Sequence, residues 1–136
     1  MAVLFRSTLT VAAMVLAISV AHAGSDDEAV MPEGDADRGA ETYENSCSGC
    51  HSLDRNRIGP AHRGVYGRKA GSAPEYAYSA ALAAADFEWD AESLDGWLAN
   101  PMAYVPGAKM GFRLGDPQKR ADIIAFLKRE SEPPAE

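Results

Sequence analysis

The chain has 136 residues, with 13 Lys or Arg and 20 Asp or Glu, which gives a formal net charge of −7. This length predicts one domain of roughly a hundred ordered residues. The acidic balance argues against nucleic acid and acidic membrane surfaces as partners of the chain as a whole.

The amino-terminal segment has the pattern of a secretory signal peptide. Arg6 is the only charged residue before Asp26, and residues 9–20 are apolar except for one Thr and one Ser. Small residues at Ala21 and Ala23 match the positions that a signal peptidase reads, so we expect residues 1–23 to be removed on export. A retained membrane anchor is the alternative, but the apolar run is short for a bilayer span of about 20 residues.

The remaining sequence divides into a leader, a domain and a tail. Cleavage would remove Arg6 and no acidic residue, which leaves 12 basic and 20 acidic residues in the mature chain. Residues 24–32 are acidic and lack periodicity, which predicts a flexible leader. We expect the domain to span residues 33–130 and the Pro- and Glu-containing residues 131–136 to form a disordered tail.

Hydrophobic spacing predicts a small number of helices. Asp90 and Asp116 are suitable N-caps for two of them, and Pro101 would end the helix that Asp90 begins. Gly39 is an unfavourable residue inside the first helix unless another group approaches closely there. The predicted helices span residues 35–45, 91–100 and 117–129, and a weaker helical turn spans residues 79–85.

A long irregular stretch follows the first helix. Residues 52–76 contain four glycines and two prolines. A stretch of this kind is uncommon inside a small domain, but it is reasonable if a buried cofactor supplies apolar surface that the side chains lack. Strand-like alternation of useful length is absent from the sequence. The predicted fold class is therefore all-α, a single domain of helices and loops wrapped around a cofactor.

The segment Cys47-Ser48-Gly49-Cys50-His51 is a C-x-x-C-H motif, which is typical of covalent c-type haem attachment. The two thiols would form thioethers with the haem vinyl groups, and the histidine would be the proximal iron ligand. A redox disulfide and half of a zinc site are the alternatives. The chain has only two cysteines, so zinc would need outside ligands, and no βαβ pattern surrounds the motif.

A haem that only carries electrons needs a sixth iron ligand as well. His22 would leave with the signal peptide, and Met31 lies in the leader. His62 and Met102 fall in predicted loops or at helix ends. Met110 ends the segment Pro106-Gly107-Ala108-Lys109-Met110, where Pro and Gly predict a stiff turn that would hold a thioether in place.

From Gly34 to Leu127 the sequence resembles the class I cytochromes c, of the bacterial periplasmic type with His and Met iron ligands. The resemblance implies that Gly39 and Phe126 meet where the first and last helices cross. The matching segments are Gly34-Asp35-Ala36 with Gly39 and Tyr43, the C-x-x-C-H motif, Ile58-Gly59-Pro60, residues 64–71, Asn100-Pro101, residues 104–110 with Phe112, and residues 120–127.

The resemblance also implies the roles of individual residues around one covalent haem c. His51 and Met110 would bind the iron, and the Pro60 carbonyl would hold the second imidazole nitrogen of His51. Tyr76, Tyr78, Ser79 and Trp89 would surround the propionates, with Arg68 nearby. The implied haem-binding residues are Cys47, Cys50, Pro60, Arg68, Tyr78, Ser79, Trp89, Trp97 and Phe112.

Four positions depart from the family pattern. His62 stands where a leucine is usual, and it is interpreted as a surface or haem-edge residue rather than a ligand. Trp97 replaces a tyrosine that often hydrogen-bonds the methionine sulfur. Ala108 replaces a common threonine and Leu82 an asparagine. These changes weaken the polar network on the methionine side and bear on redox tuning and loop rigidity, while the ligands and the fold are kept.

The predicted function is a soluble periplasmic electron carrier that cycles one haem between Fe(III) and Fe(II), without enzymatic activity. Its partners would be respiratory or photosynthetic redox proteins that dock weakly at the exposed haem edge, and we expect a monomer without stable membrane insertion. The alternatives are a gas sensor or peroxidase with a labile sixth ligand, and a subunit of a larger oxidoreductase. Basic residues are interpreted as solvated charges, or else as a local docking patch near Met110: Arg63, Arg68, Lys109 and Arg113.

Overall fold

The computed structural model describes residues 30–133, and the predicted signal peptide and most of the leader lie outside this range. The described residues form helices and loops without a strand, which agrees with the predicted all-α class. None of the helices between residues 30 and 133 is long and apolar enough to cross a membrane. The helices are α1 (Ala36–Ser46), α2 (Ala80–Ala83), α3 (Ala91–Ala99), α4 (Pro101–Tyr104) and α5 (Pro117–Arg129).

The helix starts follow from side-chain capping. The Asp35 carboxylate accepts hydrogen bonds from the backbone N–H groups of Asp37 and Arg38 at the start of α1. Asp90 and Ser93 form a reciprocal capping box on α3, and Asp116 caps α5 ahead of a proline in its first turn. Each cap satisfies backbone N–H groups that have no partner inside the helix. The predicted caps Asp90 and Asp116 are confirmed.

Helix α4 is an element that the sequence pattern did not predict. Asn100 is both the C-cap of α3 and the N-cap of α4. Its side chain accepts a hydrogen bond from the Ala103 N–H at 3.3 Å. Pro101 does end α3 as predicted, but it also occupies the first turn of α4, a position that needs no N–H donor. The chain therefore turns into a second short helix instead of a loop.

The first and last helices cross in direct contact, as the family resemblance implied. A Cβ atom on Gly39 would lie 2.0 Å from the Asp122 carbonyl oxygen and 2.8 Å from the Phe126 Cβ atom. Gly34, just before α1, approaches the Ala121 carbonyl oxygen equally closely. Two backbones can pack at this distance only where one of them lacks a side chain. This explains why a helix-disfavouring residue lies in the middle of α1.

The long irregular stretch is tied down by the segment that leads into α3. The Gly67 N–H donates to the Trp89 carbonyl at 2.6 Å, and the Trp89 N–H donates to the Arg68 carbonyl at 2.9 Å. The Ala70 N–H donates to the Phe87 carbonyl at 2.9 Å. These bonds satisfy backbone groups that a buried loop would otherwise leave without partners. The loop can therefore be a wall of the domain without forming a strand.

Residues just outside both predicted ends of the domain still contact it. Met31, at the end of the predicted leader, packs against the hydrophobic core. Ser131, the first residue of the predicted tail, donates from its hydroxyl to the Leu127 carbonyl at 2.7 Å and accepts from the Tyr66 N–H at 3.0 Å. The ordered contacts thus begin slightly before residue 33 and continue slightly beyond residue 130.

Candidate functional site

The end of α1 positions the C-x-x-C-H motif. The Cys47 N–H donates to the Tyr43 carbonyl at 2.8 Å, and the Cys47 carbonyl accepts from the N–H groups of Cys50 and His51 at 3.0 and 2.9 Å. This turn buries Cys47 and leaves Cys50 exposed, and both thiols are free. Burial, with a smaller contribution from Cys50, raises the pKa of the Cys47 thiol to about 11. The two sulfur atoms and the imidazole are thereby presented from one turn of chain.

His51 is buried and held from two sides. Its Nδ1 atom lies 3.0 Å from the Pro60 carbonyl oxygen. A Cβ atom on Gly59 would lie 2.0 Å from His51 Cε1, so only a glycine fits beside the ring. A carbonyl can only accept, so Nδ1 carries the proton and the neutral ring keeps its lone pair on Nε2. Burial lowers the pKa of His51, against the opposing effect of the Pro60 carbonyl.

His62 lies beside His51. Its ring stacks on the ring of His51 with 4.0 Å between centroids and 22° between planes. Its Nδ1 atom lies 3.1 Å from the hydroxyl oxygen of the buried Tyr43. Burial is the main cause that lowers the pKa of His62 well below its usual value, followed by His51 and Arg68. The residue is partly buried and lines the cavity, and its stack on His51 was not predicted from the sequence.

All the predicted site residues line one cavity of about 420 Å³. Its size falls within the range of roughly 300–1,000 Å³ that is usual for cofactor and small-molecule sites. The sequence-predicted residues that line it are Cys47, Cys50, His51, Pro60, Arg68, Tyr78, Ser79, Trp89, Trp97, Met110 and Phe112. The fold thus brings together residues that are up to 65 positions apart in the sequence, between Cys47 and Phe112.

The Met110 side of the cavity is held by a tight turn. Gly107 has a φ of +94°, and the Ala108 N–H donates to the Val105 carbonyl at 3.0 Å. The neighbouring Lys109 donates from Nζ to the Ala77 carbonyl at 3.2 Å. A residue with a side chain would be strained at the Gly107 φ. Met110 is partly buried and packs against the core beside this constrained turn.

Polar groups lie along another part of the wall. Arg68 donates from Nη2 to the Ala61 carbonyl at 3.0 Å, and burial lowers its pKa. The Tyr78 hydroxyl accepts from the Ala73 N–H at 3.1 Å, and burial raises its pKa. Ser79 caps α2 through its hydroxyl. A guanidinium and hydroxyl groups in a largely apolar cavity are suited to the acidic groups of a bound molecule.

The rest of the cavity wall is apolar and consists of aromatic and aliphatic side chains. Trp89 and Trp97 are buried and meet edge to face, with 5.4 Å between ring centroids. Ile58, which is 75% exposed, and Phe112, which is 42% exposed, also line the cavity and therefore mark its rim. Further apolar residues complete the lining: Val65, Leu82, Leu94, Leu98, Ile123 and Leu127. Apart from Leu82, no site role was predicted for them from the sequence.

This set of groups fits a c-type haem. Two thiols, one imidazole with a free Nε2 lone pair and one thioether line the same cavity as the apolar walls. These are the groups that covalent attachment and two axial iron ligands require. The polar residues near Arg68 and Tyr78 suit the propionates, and the exposed rim suits an accessible haem edge.

Three of the four basic residues considered for docking have other contacts. Arg63 forms ion pairs with Asp54 at 2.5 Å and with Glu130 at 2.7 Å. Arg68 donates to two backbone carbonyls and lines the cavity. Lys109 is exposed, but it donates to the Ala77 carbonyl and also lines the cavity. Lys109 and Arg113 are the two exposed basic residues that flank Met110 in the sequence.

Comparison with known proteins identifies relatives over nearly the whole domain. The cytochrome c family model matches residues 36–130. Cytochrome c from Euglena viridis is 47% identical over 98 residues, which cover 70% of this chain and 96% of that protein. Cytochrome c from Cochliobolus lunatus is 41% identical over 103 residues, which cover 73% of this chain and 95% of that protein.

A solved structure shows the same fold. Cytochrome cH from Methylobacterium extorquens superimposes with a TM-score of 0.67 at 44% sequence identity, and the match covers 71% of this chain and 99% of that one. The family match extends from α1 to just beyond α5 and includes the C-x-x-C-H motif and Met110. The chain belongs to the cytochrome c family, whose members are haem-based electron carriers, and its cofactor is one covalent haem c with iron.

Proposed function

We propose that this protein is a soluble, periplasmic carrier of single electrons in which His51 and Met110 are the axial iron ligands and Cys47 and Cys50 form the thioethers. The supporting observation is that the imidazole, the thioether and both thiols line one cavity. His51 Nδ1 is already engaged by Pro60, so its remaining nitrogen is suited to a metal. The proposal also covers Pro60, Arg68, Tyr78, Ser79, Trp89, Trp97 and Phe112 as haem-contacting residues.

The bound haem supplies an iron that is stable as Fe(III) and Fe(II), and a methionine ligand favours the reduced state. The protein's part is to hold both ligands in place so that little rearrangement accompanies each transfer. The Pro60 carbonyl fixes His51, and the Gly107 turn with the Lys109 contact holds the position of Met110. The apolar walls would keep water away from the iron, and Arg68 and Tyr78 would hold the haem propionates.

Partners would reach the site at the rim formed by Ile58 and Phe112. Both side chains are exposed and line the cavity, so an approaching redox protein would contact them close to the haem edge. Lys109 and Arg113 would add a small basic area in an otherwise acidic chain. A contact of this limited size suits weak and brief docking, as in other electron-transfer pairs. We propose that the carrier acts as a monomer and catalyses no reaction of its own.

The periplasmic location depends on the signal sequence, which lies outside the described residues. The proposal predicts that residues 1–23 are removed, because Ala21 and Ala23 satisfy the small-residue rule for cleavage. The intact mass of the purified protein should then equal residues 24–136 plus one haem. A mass that still includes Met1 to Ala23 would contradict this prediction and indicate a membrane-tethered form.

A second function has a specific observation in its favour. Trp97, Ala108 and Leu82 are all buried. The family resemblance implies that Trp97 replaces a tyrosine that often hydrogen-bonds the methionine sulfur, Ala108 a threonine near that sulfur, and Leu82 an asparagine that helps to hold a buried water. A weaker support of Met110 would suit a gas sensor or a peroxidase, in which the sixth ligand leaves. A dedicated subunit of a larger oxidoreductase would use the same chemistry as the free carrier. The replacement of Met110 distinguishes the sensor from the carrier.

Met110→Ala should remove the weak far-red absorption band of the iron–thioether bond, because that band requires the sulfur ligand. The variant should also have a lower reduction potential and bind carbon monoxide. Met102→Ala is the matched control, since Met102 is 46% exposed on α4 and does not line the cavity. The control should keep the band. Wild-type iron that is high-spin and binds carbon monoxide at once would contradict the carrier and favour the sensor.

A further inference from the structure

One imidazole in the cavity wall belongs to no haem-attachment or ligand motif. The ring of His62 lies almost parallel to the ring of His51, with 4.0 Å between centroids and 22° between planes. This is the separation of a direct stack, in which each ring covers a face of the other. The family pattern has leucine here, which has no ring to stack.

His62 is itself held by α1. Its Nδ1 atom and the Tyr43 hydroxyl lie 3.1 Å apart, and the two rings meet edge to face at 5.7 Å. Tyr43 is buried and packs on Phe126 of α5, with 5.2 Å between ring centroids. The orientation of His62 is thus connected to the crossing of the first and last helices. This partly buried hydrogen bond helps to restrict the orientation of the His62 ring.

Two other contacts of His51 act together with the stack. A single hydrogen bond to the Pro60 carbonyl fixes the direction of the Nδ1–H group but allows the ring to turn about that direction. The Gly59 backbone also lies against the ring, since a Cβ atom there would be 2.0 Å from Cε1, 2.4 Å from Nδ1 and 2.6 Å from Nε2. The His62 ring stacks on the imidazole over a much larger area than this contact. The stack therefore adds a ring-to-ring contact to the Pro60 hydrogen bond and the Gly59 contact.

We propose that His62 is a positioning residue that sets the plane of the His51 ring and places a polar aromatic group beside this ligand. The inference rests on the proposed role of His51 as an iron ligand. Two consequences follow. The plane of an axial imidazole determines how unpaired electron density is distributed over a ferric haem. A polar ring next to the ligand stabilises the more positively charged ferric state better than an aliphatic side chain such as leucine does.

The test compares His62→Leu with His62→Phe in the full holoprotein. Leucine removes the ring and is the residue usual in the family, so the variant should fold. Phenylalanine keeps a ring that can stack but has no nitrogen. His62→Leu should change the order of the paramagnetically shifted haem methyl resonances in the ferric NMR spectrum, and His62→Phe should keep the wild-type order. Tyr43→Phe, which removes only the hydroxyl, should shift these resonances less than His62→Leu.

The reduction potential gives a second readout. At the wild-type midpoint potential, His62→Leu should have a ferrous-to-ferric ratio at least threefold above that of wild type. Coincident methyl resonances and equal ratios in wild type and His62→Leu would overturn the proposal. Equal changes of the methyl order in the Leu and Phe variants would also overturn it, since a stacking ring would then make no difference. Failure of the proposed function would be seen separately, as a wild-type protein without the iron–thioether band.

Discussion

Asp122 accepts hydrogen bonds from three residues at the crossing of α1 and α5. The donors are the Asp35 N–H at 2.8 Å, Arg38 Nε and Nη2 at 3.0 and 2.9 Å, and Gln118 Nε2 at 2.9 Å. The Asp122 side chain is only 5% exposed. The Arg38 hydrogen bonds are the main cause that lowers the pKa of Asp122 to about 2. This carboxylate therefore stabilises the folded state in its charged form.

Asp122→Asn should lower the free energy of unfolding at neutral pH by about 1–3 kcal/mol, because hydrogen bonds to a charged group are lost. The native pKa lies below the unfolded value of about 4, so the contribution is complete above pH 4 and is lost as pH falls towards 2. Denaturant unfolding of wild type and Asp122→Asn at pH 7 and at pH 2–4 measures the difference in their free energy of unfolding. This difference in the free energy of unfolding should become smaller as the pH falls.

The control for this prediction is Asp37→Asn. Asp37 pairs with Arg129 at 2.7 Å, but its side chain is 93% exposed. Exposed ion pairs of this kind contribute about 0–1 kcal/mol. Asp37→Asn should therefore change the free energy of unfolding much less than Asp122→Asn. A difference between wild type and Asp122→Asn that stays constant from pH 7 to pH 2 would contradict the assigned role of Asp122.

Individual residues also show where sequence reasoning reached its limit. Cys47, Cys50 and His51 are adjacent, so their chemistry could be recognised from local spacing alone. The stack of His62 on His51 depends on how the loop after Ser52 folds back, which no local spacing encodes. Its hydrogen bond with Tyr43 joins the loop to α1 across 19 positions of sequence. A contact of this type becomes visible only when the tertiary structure is known.

Among the elements, the crossing of α1 and α5 has the least room for change. Gly39→Ala would place a methyl group 2.0 Å from the Asp122 carbonyl oxygen, a contact with backbone that no rotamer can relieve. Alanine favours an isolated helix by up to about 1 kcal/mol, whereas overpacking costs about 1–3 kcal/mol. Gly39→Ala should therefore destabilise the domain in denaturant unfolding, by at least about 1 kcal/mol.

Gly115→Ala is the matched control for the helix crossing. Gly115 has no atom within 4 Å of its ideal Cβ position and does not have a positive φ. The same substitution should therefore leave the free energy of unfolding nearly unchanged there. Equal stability of Gly39→Ala and wild type would show that the two helices can move apart slightly without loss of stability. That result would contradict the prediction that only glycine is tolerated at this contact.

The elements could be predicted wherever their signals are local. The bounds of α1, α3 and α5 differ from the predicted ones by at most one residue, because Asp35, Asp90 and Asp116 are strong N-caps and apolar spacing marks the buried faces. Helix α4 was missed, because a proline after a helix indicates a stop and gives no sign that a new turn begins. The cavity was expected only in general terms, since its walls come from every part of the domain.

At the scale of the whole molecule, the domain is built around its cavity. The cavity of about 420 Å³ has an exposed rim, so without the haem water would reach its apolar walls and their burial would be lost. The net stability of a domain is only about 5–15 kcal/mol. The covalent haem is therefore expected to be a necessary part of the folded core.

Cys47→Ala combined with Cys50→Ala should therefore abolish covalent haem and most of the cooperative folding. Denaturing gels stained for haem peroxidase activity should show a band for wild type and none for the double variant. Far-UV circular dichroism should show less helix in the double variant and a broad thermal transition. A haem-free double variant that melts as sharply and at the same temperature as wild type would contradict this expectation.

Because α1 packs on the last helix, α5, the domain can close only after most of the chain has been synthesised. A chain that emerges amino terminus first exposes Cys47 to His51 well before Pro117–Arg129 has been synthesised. During that interval α1 has no partner to pack on, and short isolated helices are unstable in water. We therefore expect the two thiols to stay accessible to attachment enzymes until the last helix arrives and closes the domain over them.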